Sequence, residues 1–537
     1  MTIPLLSVEN LHVTISTRAG EVRAVSGVSF GIARGRTLGL VGESGSGKSM
    51  TAMSLIGLAP AGANITVAGR ASFDGIDFLA QGEAGLRQLR GRRIGVVFQD
   101  PAAALDPLMS IGDQLREALP RGLDGPARAV RVQRLLGEVG LDAVADAEHR
   151  FPHELSGGQQ QRVVIATALA GDPELIIADE PTTALDMTVQ RQILDLLDRL
   201  RRTRDLAMLL ITHDLGVVAR QADDVVVLRH GRMVEAGPTA EVLRRPRTDY
   251  SRALIESRPL LSDSVALLPP ASPLLEVKAL SVSYPGPRLF SPRIMAVRGI
   301  DLSVTKGEAL GILGESGSGK STLAKTLVGL LRHEAGRFSF GAAPLDPWRM
   351  GRAERARIQY IFQDSYGALN PRMTVAQAVG EPMAIAGLPA GERRKRVAAL
   401  LEEVGLDEEH RNRLPRELSG GQRQRINIAR ALAVSPELLI CDEIVSALDV
   451  TIQAQVLELL RQLQKRRGLS LIFISHDLAV VAGLCQRVVV MKDGEAVETG
   501  ATRDVFRAPA HAYTRSLIEA ALALEHGLPD IAMAMPA

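Results

Sequence analysis

Cysteine is nearly absent from this 537-residue chain, which holds two, Cys441 and Cys485. Two isolated thiols build neither an all-cysteine metal site nor a disulfide framework, so a reducing compartment is expected. No run of 18 or more apolar residues occurs, so no segment is long enough to cross a bilayer as a helix. The opening residues MTIPLLSVENLHV lack a basic stretch followed by an apolar one, and a secretory signal is not expected there. Any membrane role is therefore expected to be peripheral. A charge excess is also missing. The chain carries 63 Lys and Arg against 61 Asp and Glu, a formal net charge of +2, and nothing in that balance demands a nucleic-acid partner. The remainder is ordinary globular composition, 46% hydrophobic and 23% charged, which argues against disorder. The length is too great for one core.

What is present is present twice. GESGSGKS begins at Gly42 and Gly314, FQD at Phe98 and Phe362, and ELSGGQ at Glu154 and Glu417. A carboxylate pair stands at Asp179-Glu180 and Asp442-Glu443, ALD at Ala184 and Ala447, and HDL at His213 and His476. The offset is 272 residues at the first motif, 264 at the second and 263 at the rest. The first copy thus holds about eight extra residues between Lys48 and Gln99. A period this long marks tandem domains rather than a solenoid. Residues 257–273 contain four prolines and several serines and read as a short, semi-stiff linker. We expect a first domain over 1–258, a linker over 259–273 with the boundary near Ser262, and a second domain over 274–537.

Within each copy, short wholly apolar runs such as 37–41, 174–178 and 207–212 suit strands buried on both faces of a parallel sheet. Helical periodicity fills the gaps, for example over 189–200. The alternation implies an α/β core. The opening segments alternate more polar residues with glycine turns and predict an antiparallel sheet.

The pattern G-x-x-x-x-G-K-[ST] follows a predicted strand and starts a predicted helix both times, the context of a phosphate-binding loop. In Gly42-Glu43-Ser44-Gly45-Ser46-Gly47-Lys48-Ser49 and Gly314-Glu315-Ser316-Gly317-Ser318-Gly319-Lys320-Ser321, followed by Thr322, glycines let the backbone wrap an anion. Successive N–H groups and the helix N-terminus then face it. Lys48 and Lys320 would reach the β- and γ-phosphates, and Ser49 and Ser321 would ligate Mg2+. The strands IIADE and LICDE end in two carboxylates. A lone acidic pair at a strand end is usually just solvated. Behind a phosphate loop, twice, it reads as phosphoryl-transfer chemistry. Asp179 and Asp442 are then metal-side ligands, and Glu180 and Glu443 the general bases. His213 and His476 follow strands in register, which favours contact with the γ-phosphate over a structural role. Gln99 and Gln363 end the VVFQ and YIFQ strands.

These motifs resemble the ABC ATPase family along nearly the whole chain. The signature LSGGQ (Leu155 to Gln159, Leu418 to Gln422) is specific to it. The resemblance implies two RecA-like parallel-sheet cores, each with an antiparallel β subdomain and an α-helical subdomain, which pair head to tail within one chain without a homodimer. One ATP would lie between Lys48 and Ser419, Gly420, Gly421 and Gln422, the other between Lys320 and Ser156, Gly157, Gly158 and Gln159. It also implies that Gln99 and Gln363 join the metal and catalytic set and link nucleotide to a transmembrane partner. Asp186 and Asp449 match the loop that crosses the dimer seam. Both sets look complete, so two hydrolytic sites are expected. Tyr284 fits the family's adenine-stacking place in the second half, where the first offers Ile15, a weaker contact. Ile444 replaces Pro181 after the second glutamate.

The subclass resembles the peptide/nickel importer ATPases. FQDPAAALDP and FQDSYGALNP, ELSGGQQQR and ELSGGQRQR, and the closing motifs RTDYSRALI and AHAYTRSLI carry that likeness. It implies ATP and Mg2+ as cofactors. It implies two transmembrane permeases and an extracytoplasmic solute-binding protein as partners, and a place on the cytoplasmic face of the inner membrane. The permeases would dock on the helices between Gln99 and Leu155 and between Gln363 and Leu418. No iron–sulfur cluster is expected, because the cysteine cluster of some members is missing. The alternative is a soluble ABC ATPase acting on ribosome or DNA. The short Pro-rich linker, the two cysteines and the lack of sustained heptads argue against it. Short peptides are the first expectation for cargo, then modified peptides, glutathione-like molecules or nickel chelates. Tyr250 and Tyr513 of the closing motifs read equally as helix packing or as residues with a role of their own.

Overall fold

In the computed structural model, the described residues are 4–525 except 18–19, 59–63, 184, 259–260, 262–264, 268–271, 287–291 and 447. Most of the expected linker lies outside them. The chain divides into two compact units, formed chiefly by Met1–Ser257 and Arg258–Ala521.

In the first unit the apolar runs become a six-stranded sheet. Its order is Arg232–Pro238, Asp224–Arg229, Thr37–Val41, Ala207–Ile211, Leu175–Asp179, Ile94–Val97. All neighbours are parallel except the first pair. Thr37–Val41, Leu175–Asp179 and Ala207–Ile211 are buried at every position. Helices cover a parallel sheet on both faces, so its strands need apolar side chains on both. The strands agree with the expected runs to within a residue, and the helix expected over 189–200 extends over Met187–Arg204. A four-stranded antiparallel sheet, ordered Gly20–Ile32, Leu6–Thr17, Asn64–Phe73, Ile76–Asp77, matches the expected opening sheet. The helices Ile111–Ala118, Gly125–Glu138 and Gly157–Leu169 pack around Leu115, Leu135 and Val163 in the core.

The second unit repeats the plan. Its six-stranded sheet runs Ile358–Ile361, Leu438–Asp442, Ser470–Ile474, Ala309–Leu313, Arg487–Lys492, Glu495–Ala501. Its helices Val375–Ile385, Ala390–Glu403 and Gly420–Leu432 correspond to those of the first. The first copy's extra length goes partly into its antiparallel sheet, where Asn64–Phe73 has 10 residues and Ala335–Phe340 has 6.

The chain has one tryptophan, Trp348, in the second unit, so its fluorescence follows that unit. Ile472 is fully buried in the middle of the parallel sheet. Ile472→Ala should cost about 2–5 kcal/mol and shift the urea midpoint of the Trp348 signal accordingly. A shift under about 0.5 kcal/mol would show that this sheet is not the core of its unit.

Candidate active site

The glycine loop, the glutamine, the carboxylate pair and the histidine of each unit emerge at the carboxyl edge of its parallel sheet, while the signature opens a helix. Thr37–Val41 runs straight into the glycine loop, and helix Lys48–Leu55 begins at its lysine. Gly42 has φ 150° and Gly47 φ 98°. A Cβ on Gly42 would stand 2.2 Å from the Leu228 carbonyl oxygen, so only glycine fits. Lys48 is buried, and its Nζ donates to the carbonyl oxygens of Gly42 at 2.6 Å and Glu43 at 2.9 Å. Lys320 does the same to Gly314 at 2.7 Å and Glu315 at 2.8 Å. Each lysine is thus curled back over its own loop, with two of the loop's carbonyls as acceptors for its ammonium.

Ser49 Oγ donates to Asp179 Oδ1 at 2.9 Å, and Ser321 Oγ to Asp442 Oδ1 at 3.0 Å. The sequence-predicted metal pair therefore meets in both units. Its donors are hydroxyl and carboxylate oxygens, which suit a hard divalent cation. Burial pushes the Asp179 carboxyl up to about 6, against the help of Ser49, and Asp442 is raised for the same reason. At neutral pH the ionised Asp179 therefore costs about 3 kcal/mol. A cation, or a proton, relieves that cost.

The next residue is strained. Glu180 and Glu443 lie in the left-handed region, with φ 47° and 48°, a cost of order 1–3 kcal/mol that concentrates at functional positions. The Glu180 N–H donates to Ile211 O at 2.9 Å and that of Glu443 to Ile474 O at 3.0 Å. The turn aims each carboxylate at the neighbouring strand ends. Glu180 accepts from Gln99 Nε2 at 2.9 Å and Thr183 Oγ1 at 2.8 Å, with His213 Nδ1 at 3.1 Å. Glu443 accepts from Gln363 Nε2 at 2.9 Å; His476 Nδ1 lies at 3.7 Å and Lys320 Nζ at 3.9 Å. Burial would raise both glutamates, but the paired histidines outweigh it and hold them below the usual carboxylate range. Each histidine is correspondingly raised: burial opposes its charge and the glutamate more than restores it. The carboxylates therefore stay ionised, the state a group accepting a proton from water would need.

Gln99 and Gln363 thus meet the glutamates, and their carbonyl oxygens are the atoms a cation would use. Ser156 and Ser419 cap the signature helices. Ser156 N–H donates to Gln159 Oε1 at 2.9 Å and Gln159 N–H to Ser156 Oγ at 3.4 Å, with 3.0 and 3.3 Å for Ser419 and Gln422. A Cβ on Gly158 would lie 2.4 Å from Val189 and one on Gly421 2.5 Å from Ile452, so the signature glycines admit the following helix. Asp186 and Asp449 cap those following helices. Tyr284 OH lies 3.1 Å from Thr322 Oγ1, beside the second phosphate loop, and the residue is 37% exposed.

Sequence reasoning missed two partners of the carboxylates. Thr183 supports Glu180, and the Tyr360 hydroxyl donates to Asp442 Oδ2. Comparing VVFQ with YIFQ would have pointed to Tyr360, since Val96 stands at its place in the first copy.

A glycine loop with its buried lysine, a serine hydrogen-bonded to an aspartate and an ionised glutamate facing a glutamine and a histidine make up the arrangement of a nucleoside-triphosphate-hydrolysing cassette, built twice. Comparison with known proteins gives the family. The ABC transporter model matches residues 25–183 and 297–446, and the oligopeptide/dipeptide transporter C-terminal region matches 234–276 and 497–536. The chain belongs to the ABC transporter family, as an ATP-hydrolysing subunit that energises import of peptides or related solutes. It is 43% identical to the peptidoglycan transport ATP-binding protein YejF of Agrobacterium fabrum, over 98% of this chain and 97% of that one. It is 43% identical to an uncharacterized ABC transporter ATP-binding protein YejF of Escherichia coli K12 (96% and 99% covered) and 40% identical to the glutathione import ATP-binding protein GsiA of Escherichia coli O157:H7 (96% and 89%). Among solved structures, cbiO1 from Clostridium perfringens is 33% identical, with 44% of this chain and 92% of that one covered at a TM-score of 0.40.

Two outcomes follow. Glu180→Gln with Glu443→Gln should keep ATP bound and cut phosphate release at least about 100-fold, the share a general base contributes; each single change should leave partial turnover. Wild-type release from the double variant would remove the glutamates from the base role. If Asp179 is a ligand of the divalent cation, protons compete with the cation for its raised carboxylate. The Mg2+ concentration needed for half-maximal turnover should therefore stay level above pH about 6 and rise roughly tenfold per pH unit below it. A flat Mg2+ requirement down to pH 5 would contradict the raised aspartate.

Proposed function

We propose that this ATPase serves two transmembrane permeases and an extracytoplasmic solute-binding protein from the cytoplasmic face of the inner membrane. Mg2+ accompanies ATP, held by Ser49, Asp179 and Gln99 in one cassette and by Ser321, Asp442 and Gln363 in the other. The observation that carries the reading is the duplication of the hydrolytic set together with the transporter C-terminal region. No helix among the described residues is long and apolar enough to cross a membrane, so transport needs permeases supplied by other chains. A groove of about 690 Å³ in the second unit supports their docking place. It is lined by Tyr360 and Phe362 just before Gln363, by Pro382 and Ile385, and by Arg430 on the signature helix. A permease segment seated there would touch the strand that ends in the glutamine and the helix that carries the signature. Closure of the nucleotide sites would thereby reach the membrane.

For cargo we propose short, modified peptides, with peptidoglycan-derived peptides ahead of glutathione. The support is the 43% identity to the peptidoglycan transport protein over 97% of its length, against 40% and 89% for the glutathione import protein. Cells lacking this chain should lose uptake of labelled peptidoglycan-derived peptides. The wild-type chain should restore it, and the Glu180→Gln/Glu443→Gln variant should not. Unchanged uptake of these peptides in the deletion strain would overturn the cargo assignment. Ribosomal proteins or DNA co-purifying in place of permeases would overturn transport itself.

A further inference from the structure

The phosphate loops have a partner that hydrolysis does not explain. In each unit the N–H of the loop's second residue donates to a tyrosine hydroxyl from the far end of the chain segment. Glu43 N lies 3.4 Å from Tyr250 OH, and Glu315 N lies 3.0 Å from Tyr513 OH. Both tyrosines are the second residue of the closing helices, Asp249–Glu256 and Ala512–Glu525. The same peptide groups, Gly42–Glu43 and Gly314–Glu315, accept the buried lysines on their carbonyl side. Lysine and tyrosine therefore hold opposite ends of one peptide, immediately after a glycine whose φ of 150° or 152° leaves that plane otherwise easy to rotate.

The tyrosines are themselves anchored, by the same means in both copies. Glu235 is buried in strand Arg232–Pro238 and accepts from Arg247 N at 2.8 Å and Thr248 N at 3.3 Å. Glu498, in strand Glu495–Ala501, accepts from Ala510 N at 2.8 Å and His511 N at 3.1 Å. Each glutamate ties down the residues just before its tyrosine. A cation lies against each ring, the Arg229 guanidinium 4.7 Å from the Tyr250 centroid and Lys492 Nζ 5.0 Å from that of Tyr513. Helix packing alone asks for the ring. It does not ask for a hydroxyl aimed at the phosphate loop, nor for the same aim in two copies whose flanking residues differ.

We propose that Tyr250 and Tyr513 are positioning residues for nucleotide. Through the Glu43 and Glu315 amides they fix the first peptide of each phosphate loop, so the loop need not be ordered when nucleotide arrives. The glutamates Glu235 and Glu498 set the helix that presents them. Pre-ordering a binding loop appears as affinity. Losing one such hydrogen bond weakens binding about threefold to tenfold. The longer Glu43 contact makes Tyr250 the weaker clamp.

The experiment is a titration of the full chain with mant-ADP, which is not hydrolysed and needs no permease. Tyr513→Phe keeps the ring and its cation and removes only the hydroxyl. It should weaken one binding event about threefold to tenfold, Tyr250→Phe the other by less, and the double variant both. The KM for ATP should rise in parallel while kcat stays within about twofold, since the base and cation ligands are untouched. Wild-type affinity in the double variant overturns the proposal, whether or not its unfolding midpoint falls, because a lowered midpoint alone is what mere packing produces. Should Tyr513→Phe not fold, Glu498→Gln loosens the helix start with the hydroxyl still present. A weaker mant-ADP site there supports the proposal, and an unaltered one overturns it. Failure of the wild-type chain to bind mant-ADP would instead remove the ATPase reading beneath it.

Discussion

A parallel sheet buried on both faces has one place for polarity, the edge where its strands end. Along Thr37–Val41, Leu175–Asp179 and Ala207–Ile211 no position faces water, so a working polar group has its place only at or beyond the last residue of each strand. Their carboxyl ends stop side by side, and each delivers one part: the glycine loop, the aspartate and glutamate, the histidine. Ile94–Val97 adds the glutamine from the sheet edge. The chemistry is thus dictated by burial. The requirement that makes these runs apolar also gathers the residues that follow them, which is why open α/β sheets bind ligands at this edge.

The second constraint is the direction of the glutamate. An extended residue after Asp179 would continue the strand's alternation. The left-handed turn at Glu180 instead brings its carboxylate to Gln99, Thr183 and His213. The strain recurs at Glu443, though Ile444 follows there and Pro181 follows Glu180. The residue after the glutamate therefore does not cause it. The N–H bonds to Ile211 O and Ile474 O hold the turn in both units and offset part of its cost. Surroundings differ where geometry does not. Tyr360 donates to Asp442 where Val96 has nothing to donate, and Thr183 reaches the Glu180 carboxylate where Ser446 turns to the Glu443 carbonyl. The two sites share one backbone plan with unequal hydrogen bonding around their carboxylates.

Much of this was legible in the chain. The apolar runs, the glycine loops, the carboxylate pairs and the tandem period are local patterns, and local patterns survive folding because each is its own strand, turn or helix start. Roles that depend on backbone handedness were not legible, since glutamate carries no propensity that announces φ near 47°. Nor were contacts across long separations. Glu43 and Tyr250 are 207 residues apart and Glu315 and Tyr513 198, so nothing in either motif names the other. Asp186 and Asp449 show a third kind of limit. The resemblance assigned them to a loop at the dimer seam, and within each unit they are helix caps, a role compatible with any loop before a helix.

The duplication turns these observations into a comparison within one molecule. Between the copies, residues flanking the motifs have changed freely: RTDYSRALI against AHAYTRSLI, FQDPAAALDP against FQDSYGALNP. What persists against that background includes the glutamate that holds the start of the closing helix, the cation over the tyrosine ring and the hydroxyl on the loop amide. Packing would tolerate phenylalanine at both places, and an anchor serving only the hairpin would not need to fix the residues before the tyrosine. The three features make sense together if the C-terminal region of each cassette works on the phosphate loop. The segment that marks the transporter subclass then joins the nucleotide site through one hydrogen bond in each cassette.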